Sequence, residues 1–166
     1  MAVPAEPYYG KYHGHKTTYL AAVEAALRAD GGPDAAVAWL VGDSSLDNKF
    51  WLGQALEPAV NGMERVLEPP VSRPDVCHYV NKAAAARGAA VKCVNCAIEE
   101  SRIASRSHGA FPAQDKFCRD HLRPQDTLIV SVGGNDIALA PSCCTALNMA
   151  TLLCCCPTKA LESAAG

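Results

Sequence analysis

Three short polar turns hold the groups in this sequence best placed to do chemistry: Gly42-Asp43-Ser44, Asn95-Cys96-Ala97 and Gly133-Gly134-Asn135-Asp136. Each follows an apolar run. A serine becomes a useful nucleophile when a tight turn at a strand end exposes its hydroxyl and the next helix start directs backbone N–H groups toward the reacting oxygen. Ser44 stands at such a place. Taken alone, the same turn is also an ordinary strand-to-helix connection in which Asp43 or Ser44 caps the next helix, and Asp47 fits that capping role too.

Other reactive residue types are present, with weaker spacing. Cys93-Val94-Asn95-Cys96 reads as half a zinc site or a redox pair, yet no second such pair accompanies it. On a strand its two sulfurs point to opposite faces, so both are expected to act as small core hydrophobes. Asp75 and His78 lie on a segment whose apolar side is defined by Val76, Val80 and Ala83, which turns His78 toward solvent at 100° per residue. His13 and His15 fall in a flexible lead-in, and His108 and His121 read as loop or helix-end residues. No cofactor or metal is expected.

The elements that must position the turns follow from periodicity. Residues 1–16, rich in Pro, Gly, Tyr and His, form an irregular lead-in. Leu20, Val23 and Leu27 predict a helix over 18–29 that stops at Asp30-Gly31-Gly32-Pro33. Short strands are predicted at 35–41, 90–95 and 127–132, the last apolar on both parities. Helices are expected over 47–67, broken by Pro58 and Gly62, over 74–88 and over 114–122. Strands alternating with helices make right-handed βαβ units, hence an α/β fold with a parallel sheet in three layers, α/β/α. The carboxyl ends of parallel strands share one edge, so the three turns converge on one rim.

Composition bounds the rest. The chain has 166 residues, the size of one domain, with 15 Lys plus Arg against 17 Asp plus Glu. That balance argues against nucleic acid, which needs a concentrated basic excess. Leu, Ile, Val and Phe number 34, so the core is thin. Nine cysteines, five of them in two contiguous clusters, do not spell a disulfide framework, and the first sixteen residues lack the apolar stretch of a signal peptide. A reducing, cytoplasmic setting is expected. Residues 137–156 are apolar but interrupted by Pro141, Ser142 and Asn148, and predict a helix packed on the sheet rather than an integral membrane span. S-palmitoylation of Cys154 to Cys156 is the minor alternative there.

Gly42-Asp43-Ser44-Ser45-Leu46-Asp47 and Gly133-Gly134-Asn135-Asp136, in that order and both at strand ends, resemble blocks of the SGNH or GDSL-type serine hydrolases. The resemblance covers residues 35–140 and implies a flavodoxin-like fold. Ser44 would be the nucleophile, with Asp43 and Asp47 supporting it. Asn135 would be an oxyanion donor, alongside the Ser44 N–H and the region of Glu100 and Gly133. The family's intervening block carries a glycine where Glu100 stands here. Its Asp and His come from a DxxH motif after the GxND block, and residues 137–166 contain neither. The domain at 17–166 therefore reads as incomplete, its C-terminal portion with DxxH missing. Three readings follow: an ester hydrolase acting on a small ester, a degenerate non-catalytic relative that binds an acyl or ester-like ligand, and a Cys-based metal or redox module. A homodimer would be a reasonable way to cover an exposed sheet edge.

Overall fold

In the computed structural model, which describes residues 2–32 and 35–155, three parallel strands form the central sheet. They are β2 (Ala36–Gly42), β6 (Val91–Asn95) and β7 (Thr127–Ser131), in the order β6-β2-β7. Alternation along them divides the core in two. Val37, Trp39, Val94 and Cys96 face Leu20, Val23 and Leu27 of α2 (Thr17–Gly31) and Cys118 of α4 (Ala113–His121). Ala38, Leu40, Cys93 and Ala97 face Cys77, Val76 and Val80 of α3 (Val76–Ala86). The molecule is thus mixed α/β with a parallel sheet between helices, and the expected strands and the helix at 18–29 lie within two residues of their observed positions.

The lead-in is not irregular. Val3–Pro4 (β1) pairs in parallel with Leu67–Glu68 (β4), and Ala5–Tyr9 forms α1. Tyr8 and Tyr9 are buried, and His15 stacks on Tyr8 with ring centroids 4.0 Å apart. The burial comes from aromatic rings packed against each other across turns, a pattern with no period for sequence reading to detect.

Nor does a helix occupy 47–67. Turns lead to β3 (Glu57–Pro58), a 3-10 turn at Met63–Arg65, β4 and β5 (Val71–Ser72), which pairs antiparallel with β3. Pro58, together with Asn61 and Gly62 at φ of 61° and 96°, breaks any helical path.

The C-terminal expectation also fails. After α5 (Gly134–Ala138), α6 (Cys143–Cys155) buries none of its residues. Strand β7 is likewise exposed, although its pattern is that of a strand covered on both faces. Cys154 and Cys155 are exposed, whereas Cys156 and Pro33 lie outside the described residues. Among the described residues no helix is long and apolar enough to cross a membrane.

Gly42 closes β2 at a φ of 149°, and a Cβ there would sit 1.8 Å from the Ser131 carbonyl oxygen. Any side chain would push β2 and β7 apart at the rim. Gly42→Ala is expected to cost about 1–3 kcal/mol, seen as a lower denaturant midpoint with an unchanged slope.

Candidate functional site

The three turns do meet. The Gly42 carbonyl accepts from Ile98 N at 3.0 Å, Ser101 Oγ at 2.9 Å and the Arg106 guanidinium at 3.2 Å, which ties the end of β2 to the segment after β6. Asp43 N donates to the Ser131 carbonyl at 3.0 Å, and Ser45 Oγ donates to Ser131 Oγ at 2.7 Å, which ties it to β7. Asn135 Nδ2 in turn donates to the Ser101 carbonyl at 3.0 Å, and Asp136 accepts from Ile103 N and Ala104 N. Those two N–H groups hold the Asp136 carboxyl below its usual value.

Within the first turn, Asp43 is buried and its carboxylate accepts from Ser45 N at 2.9 Å, while its carbonyl accepts from Leu46 N and Asp47 N. The local backbone curls back on itself and leaves Ser44 half-buried at the strand end. Asp43 is therefore the residue that shapes the turn. Asp47 caps no helix. It is wholly buried, with both carboxylate oxygens on Lys49 Nζ at 2.6 and 2.7 Å.

Lys49 also reaches Glu99 at 2.9 Å, and Glu99 accepts from Gly14 N at 3.0 Å. All three charged side chains are at most 1% exposed. Burial, and then the neighbouring Glu99, push the Asp47 carboxyl well above the usual range against the pull of Lys49. The cluster fixes the first turn, the second turn and the lead-in as one body beneath the rim. Sequence reading missed Lys49 and Glu99, because a charged residue is assigned to the surface unless its partner is known.

Glu100, standing where the SGNH pattern has glycine, has a φ of 61°, in the left-handed region that glycine favours. Its side chain turns outward and accepts from Tyr12 OH at 3.0 Å. Gly133 has a φ of 125° and precedes α5. The side chain of Glu100 is thus directed to an exposed partner.

Of the four histidines whose side chains are described, none hydrogen-bonds to Ser44. His13 is exposed, its Nδ1 3.4 Å from the Glu99 carbonyl. His15 is buried against Tyr8 and bonds its carbonyl at 2.7 Å, and burial lowers its imidazole to about 3. His121 faces Glu24 at 3.3 Å.

His78 corrects an expectation. It is buried, with Ser72 Oγ 2.7 Å from Nδ1 and Glu57 Oε2 3.1 Å from Nε2. Asp75 caps α3 by accepting from the backbone N–H of His78 at 2.8 Å, so Asp75 and His78 are not a side-chain pair. The buried face of α3 is Cys77, His78, Asn81 and Ala84, because His78 and Asn81 find polar partners that a hydrophobic pattern cannot register. Ser72, His78 and Glu57 do line up as hydroxyl, imidazole and carboxylate. Ser72 is 3% exposed, and the cavity it lines with Tyr8, Tyr9 and His78 has a volume of about 10 Å³, room for roughly one water. The chain of bonds clamps β3 and β5 to α3.

Cys93 and Cys96 are buried on opposite faces of the sheet. Comparison of the chain with protein-family models, with curated proteins and with solved structures finds no match.

Proposed function

We propose that the rim is the nucleophile and oxyanion half of an ester-hydrolysis site of the SGNH type. Ser44 Oγ would add to the carbonyl carbon of a small ester, and the alcohol would leave with the serine proton. Water would then release the acid from the acyl-serine. Asn135 and the Ser44 N–H would donate to the oxyanion, since donors already fixed in place stabilise it without reorganisation. The observation that carries this reading is the hydrogen-bonded convergence of Gly42 at the end of β2, Ser101 in the segment after β6 and Asn135 in the turn after β7. Besides its bond to Ser101, the Asn135 amide has a second N–H to offer.

The absence of a histidine bonded to Ser44 among the described side chains favours a second reading, a relative that binds an acyl or ester-like ligand without turnover. A hydroxyl without a base remains a weak nucleophile.

A fluorophosphonate probe followed by peptide mapping separates the two. Under the hydrolase reading the label maps to Ser44, Ser44→Ala falls to background, and Asn135→Ala slows labelling on the order of 10²–10³-fold. No label on folded wild-type protein, or a label at Ser72, would overturn the hydrolase reading at this rim.

A further inference from the structure

The two edges of the central sheet are treated oppositely. At β6 the edge is sealed by side-chain amides. Asn81 Oδ1 accepts from Cys93 N at 2.9 Å, its Nδ2 donates to the Cys93 carbonyl at 3.1 Å, and Asn61 Nδ2 donates to the Val91 carbonyl at 2.9 Å. Asn81 thereby imitates the backbone of a missing neighbour strand.

At β7 nothing of this kind occurs among the described residues. Leu128, Ile129 and Val130 are 48, 36 and 57% exposed. The devices that keep an edge strand from pairing, namely lysine, proline or an inward charge, are missing from Thr127 to Val132. From Thr127 to Cys155 the single charged residue is Asp136, and its carboxylate is taken by Ile103 N and Ala104 N. Such a surface has no charge with which to recognise an acidic or basic partner. It matches a surface that is equally uncharged.

We propose that β7 pairs with β7 of a second copy of this chain, antiparallel about a two-fold axis through Ile129. The sequence Thr127-Leu128-Ile129-Val130-Ser131 is palindromic in residue type, so this register matches it to itself. Thr127 lies opposite Ser131 of the partner subunit, Leu128 opposite Val130 of the partner subunit, and Ile129 opposite its own counterpart. Hydroxyl meets hydroxyl and apolar meets apolar on each face. The alternation agrees with the sheet, because Leu128 and Val130 are paired with Trp39 and Val41 on one side and Ile129 with Leu40 on the other.

Leu128 and Val130 also form one wall of a largely apolar groove of about 290 Å³, with Phe111, Cys118 and Leu122 opposite; Arg106, paired with Asp115, and Arg119, paired with Asp120, also line it. The pairing brings the two grooves together as one continuous face. It joins two three-stranded sheets into one of six, and it closes, because the interface is the same patch on both copies.

Light scattering on the full chain under reducing conditions, which exclude disulfides through the exposed Cys143, Cys144, Cys154 and Cys155, should give one species of twice the chain mass. Ile129→Lys sets two ammonium groups against each other at the axis and should weaken association by at least about 100-fold. Should that variant fail to fold, amide exchange of the wild-type protein decides. Residues 127–131 should become more protected as protein concentration rises, while β6 should not change. A monomer at every concentration, a heterogeneous aggregate, a dimer undisturbed in folded Ile129→Lys, or exchange at 127–131 independent of concentration would each overturn the proposal.

Discussion

Lys49→Met is expected to cost about 3–5 kcal/mol, a large share of an ordinary stability margin of about 5–15 kcal/mol. The ammonium of Lys49 sits between the carboxyls of Asp47 and Glu99, with every one of these side chains sealed from water. Methionine keeps most of the volume and removes the cation, so two acidic groups are left facing each other in the interior. Asp47, whose carboxyl burial already pushes up, then loses the ammonium that pulled it down and takes up a proton. The folded state of the variant then binds more protons than the unfolded state, and its stability must fall as pH rises through the acidic range. Adding Glu99→Gln to Lys49→Met removes one of the two acids and should restore part of the loss. Denaturant unfolding of the single and double variants at pH 5 and pH 8 measures both effects. Equal stability of Lys49→Met and wild type, or a variant more stable at pH 8 than at pH 5, would refute the assignment of this cluster as an internal ion pair network.

How much of this was legible beforehand depended on whether a residue acts through its own pattern or through a distant partner. Leu20, Val23 and Leu27 repeat at helical spacing, and they are wholly buried as that spacing requires. The three strands and the turns that follow them were legible for the same reason, and so was their meeting at one rim. Asp47, Glu99 and Lys49 were not, since the last two are fifty residues apart and each alone looks like a surface charge. Hydrophobic periodicity puts His78 on the wrong face because it counts an imidazole as polar whether or not Ser72 and Glu57 are waiting for it. In the lead-in, Tyr8 and His15 are held by ring stacking and a side-chain bond to a carbonyl, neither of which leaves a period. Strand β7 failed in the other direction. Its pattern correctly predicts a strand fit for burial on both faces, and the fold leaves that strand uncovered.

Asp126→Asn is the other change expected to cost about 3–5 kcal/mol at neutral pH. The Asp126 carboxylate has no exposed surface and accepts five hydrogen bonds: two from the Arg28 guanidinium at 2.7 and 3.2 Å, and one each from Trp39 Nε1, Val37 N and Arg123 N at 2.9, 2.9 and 3.0 Å. These bonds join α2, β2 and the connection from α4 into β7. An amide in the same place turns an N–H toward at least one of these donors and leaves the guanidinium with only Glu24 as a charged partner. Burial alone would raise the Asp126 carboxyl, but Arg28, Trp39 and the two backbone N–H groups outweigh it and bring the group from 3.8 to about 2. The fold therefore favours the charged form. Its contribution is complete above pH 3.8 and disappears as pH falls through about 2. Asparagine does not titrate, so the stability gap between wild type and variant should narrow by about 1 kcal/mol between pH 7 and pH 3. A gap that stays constant over that range would mean that Asp126 titrates alike in the folded and unfolded chains, and the five donors would then not be holding a carboxylate.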